Sequence, residues 1–244
     1  QGLVVVDASN PVAPVIVGSV DTPGNADDVR VVGHLAYVAD GPSGLQIIDV
    51  TDPRHPRIVG TVDTPGGASD VIVAPPFAYI ADGASGLQII DVSDPTKPKL
   101  VRSVATPGTA RGVDVDVARS IVVVVSDYPG TSLQVVDVSS PATPKIVGQV
   151  LLGGQPTDVS LGKGFAYVAD YAGGVSVVDV RQPATPHIAG QLPANPPTGF
   201  VPRDVQFDGE DLSAALLGQA KPRTKPLFWE YGRTAGHLKP KSES

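Results

Sequence analysis

Residues 22–62 read TPGNADDVRVVGHLAYVADGPSGLQIIDVTDPRHPRIVGTV, and residues 64–104 repeat them closely as TPGGASDVIVAPPFAYIADGASGLQIIDVSDPTKPKLVRSV. A third copy starts at Thr106 and a fourth near Gly153. The Asp of the I-I-D-V element marks the period. It stands at five positions spaced by 42, 42, 46 and 42 residues: Asp7, Asp49, Asp91, Asp137 and Asp179. The chain is therefore a tandem repeat, and a period of this length constrains the fold more than any single motif does.

Each copy contains four candidate strands separated by turn residues. In residues 22–62 we predict strands at Asp28–Val32, Leu35–Ala39, Leu45–Val50 and Arg57–Val62, with Gly, Asp and Pro between them. Their apolar positions alternate imperfectly, which is typical of a sheet buried on both faces. Four short strands in each unit predict the blades of an all-β propeller. Frequent Pro and Gly exclude a helical solenoid, whereas a parallel β-helix remains the structural alternative.

Composition narrows the classes of function. The chain has 244 residues, no Cys, no Met and a net charge of −7. Residues 1–208 hold 12 basic and 21 acidic residues, and so acidic a body argues against nucleic-acid binding. The lack of Cys excludes disulfides, thiolate metal sites and a Cys nucleophile. No apolar run is long enough to span a membrane, and because the chain opens inside a repeat we expect it to be trimmed from something longer.

The strand motif resembles that of a known family. Leu3–Asp7, Leu45–Val50 and Leu133–Val138 are each followed by S/T-x-P-x-x-P, and together they resemble the LVIVD-repeat family over residues 1 to about 208. The resemblance implies a β-propeller on exported or surface proteins of bacteria and archaea. It therefore implies an extracellular or cell-surface location, but it implies no activity.

The two ends of the repeat region predict how the ring closes. Residues 1–20 supply only the last two strands of a repeat, and residues 201–208, VPRDVQFD, look like the first strand of another. Four whole blades plus one composite blade give about five. The composite blade lacks a clear second strand, because residues 211–217, DLSAALL, favour helix. Either this blade is irregular, or the chain is part of a larger ring whose open edge strands self-associate.

The segment after the propeller, residues 209–244, is predicted to be a short irregular or helical tail without a domain of its own. With Asp208 it resembles a late part of sulfatases, through D-G-x-x-L-x-x-x-L-x-G and the run Pro226–Glu230. The sulfatase nucleophile motif is missing, because the chain has no Cys and the nearest Ser match, Ser93–Lys97, lacks its Arg. We expect the tail to pack on the propeller through Phe228 and Trp229.

Carboxylates recur at the start of the first strand of each repeat. They are Asp28, Asp70, Asp158 and Asp204, with Gly112 in the third copy. First strands of a propeller line its central channel, so oxygen ligands gathered there can hold a hard cation, and Ca²⁺ is the cofactor we consider. In the alternative interpretation each Asp accepts backbone N–H groups in its own turn.

Aromatic residues mark the places where the repeat is broken. Tyr128 and Tyr171 follow second strands, and Phe200 lies in the insertion PANPPTGF at residues 193–200. Departures from a repeat gather in loops that make contacts, so we predict an aromatic patch for a glycan or peptide. Simple loop variation is the alternative. We predict no catalytic residue, because the four His are scattered and no nucleophile or phosphate-loop motif is found.

We therefore predict a non-catalytic propeller scaffold that binds a protein or glycan at the cell surface or outside the cell. The fold alone does not establish a binding function, so this prediction rests on the family resemblance. Two alternatives stay open. In the first alternative, the chain is a targeting or accessory domain of a sulfatase-related hydrolase. In the second, it is a structural subunit that assembles through its edge strands.

Overall fold

The computed structural model describes residues 2–171 and 173–193. This part of the chain contains eighteen strands, β1–β18, and no helix. Accordingly, no helix that would cross a membrane is found in it. Every strand pairing is antiparallel, and each sheet is built from strands that are consecutive in the sequence. The predicted all-β class is confirmed, and the parallel β-helix alternative is wrong because its coils would pair in parallel.

The strands form one hairpin and four sheets of four strands. The N-terminal hairpin contains β1 (Leu3–Asp7) and β2 (Val15–Val20). Sheet 1 contains β3 (Asp28–Val32), β4 (Leu35–Ala39), β5 (Leu45–Asp49) and β6 (Arg57–Val62). Sheet 2 contains β7 (Asp70–Ala74), β8 (Phe77–Ala81), β9 (Leu87–Asp91) and β10 (Lys99–Val104). Sheet 3 contains β11 (Ala110–Asp116), β12 (Ile121–Ser126), β13 (Ser132–Asp137) and β14 (Lys145–Leu151). Sheet 4 contains β15 (Pro156–Gly162), β16 (Phe165–Asp170), β17 (Gly174–Asp179) and β18 (His187–Leu192).

Local chemistry sets the strand ends. In sheet 1 the predicted strands agree with the structure except that β5 ends at Asp49, one residue early. The reason is that the Asp49 carboxylate accepts the backbone N–H of Thr51 at 2.9 Å, which begins a turn. Hydrogen bonds from the Thr51 hydroxyl and backbone and from Arg57 hold the pKa of Asp49 far below its usual value. Gly33 and Gly44 have positive φ angles of 64° and 67°, so they take the backbone conformation that the neighbouring turns require.

Apolar faces hold consecutive sheets together. In β5, Ile47 packs in a core shared with Val71 and Ile80 of sheet 2, whereas Ile48 packs in a core with Leu3 of the hairpin. Equivalent cores join sheet 2 to sheet 3 and sheet 3 to sheet 4. The second and third strands are therefore buried on both faces. This explains why their sequences are apolar at consecutive positions instead of alternating.

A second contact between sheets involves glycine and the P-x-x-P turn. The carbonyl oxygen of Pro95 in sheet 2 approaches Gly60 of β6 so closely that a Cβ there would overlap it. The same arrangement brings Pro53 against Gly18 and Pro183 against Gly148. Each of these turns thus rests on the fourth strand of the sheet before it. The glycine is required because the approaching group is backbone, which cannot move aside.

The N-terminal hairpin takes the place of the last two strands of a sheet that precedes sheet 1. Leu3 and Val20 pack on Ala36, Val38 and Ile48 of sheet 1, as third and fourth strands do elsewhere. On the other face of the hairpin, Val4 and Val6 are each 49% exposed. The predictions for residues 201–208 and for the tail at 209–244 lie outside the described residues.

We expect Gly60→Ala to destabilise the protein by about 1–3 kcal/mol, since the added methyl group is forced against the Pro95 backbone. Gly67→Ala is the matched control, because a Cβ at Gly67 meets no atom within 4 Å. Urea unfolding of both variants measures the difference. Equal stability of the two variants would contradict the proposed contact.

Candidate functional site

The first-strand carboxylates bind the backbone of the next sheet. Asp28 of β3 accepts the N–H of Val71 in β7 through Oδ2 at 3.2 Å. Asp70 of β7 accepts the N–H of Val113 in β11 through Oδ2 at 2.7 Å. The alternative to a metal site is that each Asp accepts backbone N–H groups within its own turn. The carboxylates do accept backbone N–H groups, but the donors lie 43 residues away and not in the same turn.

The third repeat makes the same bond from a different residue. A Cβ at Gly112 would lie 2.8 Å from the Cα of Asp158, so the close approach of β15 leaves no room for an Asp there. Asp114, two residues later, accepts the N–H of Leu161 in β15 through Oδ2 at 2.6 Å. Residues two apart on a strand lie on the same face. The sequence analysis missed Asp114, and that period of two is the signal that would have identified it.

One cation lies among these carboxylates. Arg30 of β3 places Nη1 3.7 Å from Oδ1 of Asp28 and Nη2 3.9 Å from Oδ1 of Asp70. Burial opposes the positive charge of Arg30, but nearby carboxylates outweigh burial and raise its pKa. They belong to all four sheets: Asp28, Asp70, Asp158 and Asp114. Carboxylates from the first strands of all four sheets therefore lie within electrostatic reach of Arg30.

Asp28 and Asp70 each divide their two oxygens between different partners. Oδ2 binds the next sheet, while Oδ1 faces Arg30. Burial, and then the neighbouring Asp28, raise the pKa of Asp70 well above its usual value. Burial also raises the pKa of Asp114. Protonation of this cluster is therefore coupled to the packing of the first strands.

The calcium hypothesis concerned Asp28, Asp70, Asp158 and Asp204. The structure brings the first three to the region around Arg30, whereas Asp204 lies outside the described residues. Over residues 2–171 and 173–193, no group of three or more His, Asp or Glu side chains has an arrangement that could hold a metal ion. A calcium site that includes Asp204 stays a prediction.

A second row of buried carboxylates supports the loops between second and third strands. Asp40, which follows β4, accepts the Thr22 hydroxyl at 2.5 Å and the Gly24 N–H at 2.8 Å. Asp82, which follows β8, accepts the equivalent groups of Thr64 and Gly66 at 2.6 and 2.9 Å. The T-P-G segments at residues 22–24 and 64–66 are thus tied to the ends of the second strands of sheets 1 and 2. These bonds fix the loop ends of sheets 1 and 2 in place.

Two of the three predicted aromatic residues lie at that end of the molecule. Tyr128, in the loop between β12 and β13, is 79% exposed, and Tyr171, in the loop between β16 and β17, is 41% exposed. Both loops join a second strand to a third strand, so they lie at the same end of the neighbouring sheets 3 and 4. Arg111 and Asp127 form an ion pair of 2.9 Å beside Tyr128. Phe200 lies outside the described residues. We call this end the loop face.

Together these features define an all-β repeat protein whose four-stranded antiparallel sheets pack against one another like blades. A family model described as LVIVD repeat matches five stretches: residues 1–22, 23–64, 65–106, 128–151 and 153–192. The chain belongs to the LVIVD-repeat family, which confirms the resemblance carried by its strand motif. Residues 107–127 are not matched, and they contain the departure at Gly112 and Asp114.

Among solved structures, the chain is similar to a functionally unknown protein from Desulfotomaculum acetoxidans DSM 771. The two are 15% identical, with a TM-score of 0.62 over 74% of this chain. This chain covers 60% of the length of that protein, and the likeness shows the fold alone. A comparison with curated proteins finds no match.

Asp70→Asn is expected to make stability less dependent on pH. Because the pKa of Asp70 is raised in the folded state, its protonated form favours folding, fully so below the ordinary value of 3.8. That contribution is lost as the pH rises through the raised pKa. Asn still offers an oxygen to Val113 and carries no charge. The variant should therefore exceed the wild type in stability at neutral pH and vary less with pH.

Urea unfolding across the acid-to-neutral range measures this effect. Asp70→Ala, which removes the acceptor, should be less stable than Asp70→Asn by about 1–3 kcal/mol at every pH, because neither side chain titrates. Asp63→Asn is the control for an exposed carboxylate that is not part of the cluster. If Asp70→Asn were as destabilising as Asp70→Ala, the cross-sheet hydrogen bond would not explain the contribution of Asp70 to stability.

Proposed function

We propose that the protein is a non-catalytic propeller scaffold that binds a protein or glycan ligand through its loop face. The observation that carries the proposal is the exposure of Tyr128 and Tyr171 on neighbouring sheets at the same end. Exposed tyrosines offer a wide apolar surface with a polar hydroxyl, and they lose little conformational entropy when they bind. The equivalent loops of sheets 1 and 2, DGPSG and DGASG, carry no aromatic residue.

Rigidity of the loop face supports a binding role. Asp40 and Asp82 hold neighbouring T-P-G segments through buried hydrogen bonds. Between sheets, Gly41 exchanges two backbone hydrogen bonds with Ala68, and Ala110 donates to Gly83 at 2.9 Å. A face that is fixed before binding loses less entropy when a ligand arrives.

The proposal includes a ring of about five blades. Sheets 1 to 4 are four whole blades, and the N-terminal hairpin provides the third and fourth strands of a composite blade. The sequence of residues 201–208 predicts its first strand. Support comes from the hairpin's position against sheet 1 and from the influence of Asp158 in sheet 4 on Arg30 in sheet 1. We also propose an extracellular or cell-surface location, which rests on the family resemblance.

A structural subunit that assembles head to tail is the second candidate. It is favoured by the exposed valines of the hairpin, Val4 and Val6, because an open apolar sheet face attracts a partner. The role of an accessory domain for a sulfatase-related hydrolase rests only on the sequence of the tail. The molecular mass in solution separates a monomeric scaffold from the self-assembling subunit.

Tyr128→Ala and Tyr171→Ala are each expected to weaken ligand binding about tenfold or more, as loss of an aromatic anchor does. A glycan array and a peptide array identify the ligand, and titration calorimetry measures its affinity for each variant. Val117→Ala is the matched control, because Val117 is exposed at the opposite end of sheet 3. Unchanged affinity in the double tyrosine variant would overturn the proposed role of the loop face.

A further inference from the structure

A short backbone contact links neighbouring sheets at part of the loop face. Gly41 and Gly83, each directly after a second strand and its Asp, form isolated β-bridges with Ala68 and Ala110 at the start of the next sheet. Both glycines have positive φ angles, of 54° and 57°, which larger side chains rarely adopt. The bridge therefore depends on glycine at this position of the repeat.

The border between sheets 3 and 4 is built differently. Seven residues, 126–132, separate Val125 from Leu133 in sheet 3, whereas five residues, 40–44, separate Ala39 from Leu45 in sheet 1. Sheet 4 also has Pro156 in the place of the bridging alanine, and proline has no N–H to donate. Within residues 2–171 and 173–193, no isolated bridge joins sheet 3 to sheet 4. The longer loop of sheet 3 instead presents its tyrosine to solvent.

Arg111 places a cation at this border. Ser69, which holds the same position in sheet 2, has its hydroxyl 3.3 and 3.2 Å from the carbonyl oxygens of Ala110 and Arg111 in the next sheet. By equivalence, Arg111 stands beside the start of sheet 4. Its Nε donates to Asp127 at 2.9 Å, and its side chain is 46% exposed. In the part of the chain that the structure describes, Nη1 and Nη2 of Arg111 have no hydrogen-bond partner.

The charge of Arg111 is isolated on the loop face. No other basic residue occurs in the segments before the first strands or in the loops after the second strands, which are residues 21–27, 63–69, 105–111, 152–157, 40–44, 82–86, 127–131 and 170–173. The protein as a whole carries a net charge of −7, which repels long polyanions. The site therefore suits a ligand with a single carboxylate among neutral groups.

The neighbouring groups suit a saccharide better than a peptide. Tyr128 and Tyr171 offer aromatic faces on which sugar rings stack. Gln155, which is exposed and whose carbonyl accepts the Tyr171 N–H at 2.9 Å, offers a side-chain amide to sugar hydroxyls. A peptide would require an open strand edge or an apolar groove, whereas strand ends and polar loops lie here.

We propose that the loop face binds an acidic saccharide at the border of sheets 3 and 4. Nη1 and Nη2 of Arg111 donate to the ligand carboxylate, and neutral sugar rings lie against Tyr128 and Tyr171. Two parallel N–H···O bonds match the geometry of a carboxylate. Asp127 fixes the guanidinium through Nε before the ligand arrives, which lowers the entropy cost of binding. This inference rests on the proposed function and names the ligand class of that site.

A glycan array in which each acidic oligosaccharide is paired with its methyl ester tests the ligand class. Esterification removes the charge and keeps the sugar rings, so the acids should bind about tenfold or more tightly than their esters. A peptide array is screened in parallel. Equal binding of acid and ester, binding of peptides alone, or no binding to either array would each overturn the proposal.

Titration calorimetry with the best acidic oligosaccharide assigns its carboxylate to Arg111. Arg111→Gln should weaken binding of the acid about tenfold or more, while binding of the ester stays within about twofold and shows that the fold is kept. Arg111→Lys keeps the charge but loses the planar fork, so it should recover only part of the affinity. Arg102→Gln is the matched control, because Arg102 is exposed on the fourth strand of sheet 2. If Arg111→Gln changed the affinities for acid and ester equally, the assignment would be wrong.

The same measurements separate this inference from the proposed function. If Tyr128→Ala and Tyr171→Ala weaken binding of esters or peptides while acid and ester bind alike, the loop face is a binding site without selection for charge, and this inference alone fails. If the tyrosine variants bind every ligand as the wild type does, or if neither array gives a ligand, the proposed function fails as well.

Discussion

A sheet that is apolar on both faces cannot stand alone in water, and this constraint governs the whole molecule. The second and third strands of each repeat send large aliphatic side chains to both sides, as Ile47 and Ile48 do. Each sheet therefore requires a neighbour on either face, and the repeats supply identical neighbours in succession. Apolar contact is not directional, however, so it does not by itself fix how one sheet sits on the next.

Directional contacts in three regions of the molecule fix how one sheet sits on the next. Near the first strands, Asp28, Asp70 and Asp114 each bind an amide of the following sheet. At the loop face, Gly41 and Gly83 bind the start of the next repeat at Ala68 and Ala110. At the outer edge, P-x-x-P turns rest on glycines of the preceding sheet. The repeat motif is thus a set of contacts between sheets, and at the loop face these contacts hold the loops of sheets 1 and 2 at Gly41 and Gly83.

Much of this fold could be predicted from the sequence because the same strand and turn pattern occurs in several copies. The strand bounds of sheet 1 agree with the prediction to within one residue at Asp49. The hydrogen-bond partners could not be predicted, because the donor to Asp28 is 43 residues away and only the packing of two sheets brings it near. Asp114 was missed because the repeat alignment pointed to Gly112, and the close approach of Asp158 to that glycine is invisible in the sequence.

The site was less predictable than the fold. The sequence marked Tyr128 and Tyr171 as departures from the repeat, but their placement at one end of adjacent sheets depends on the meander of the strands. The structure also places a side-chain cation, Arg30, beside the first-strand carboxylates Asp28 and Asp70. A single arginine in one of several repeats gives no sign in the sequence that carboxylates from the other repeats converge on it.

Native-state hydrogen exchange is the most direct measurement of whether bonds between sheets hold the molecule together. The amides of Val71, Val113 and Leu161 donate to carboxylates of another sheet, so they should exchange only in the slowest, global unfolding reaction. The amide of Ser93, which donates to nearby Asp91 in an exposed turn, provides the fast reference. Exchange of the three cross-sheet amides at the rate of Ser93 would contradict the account.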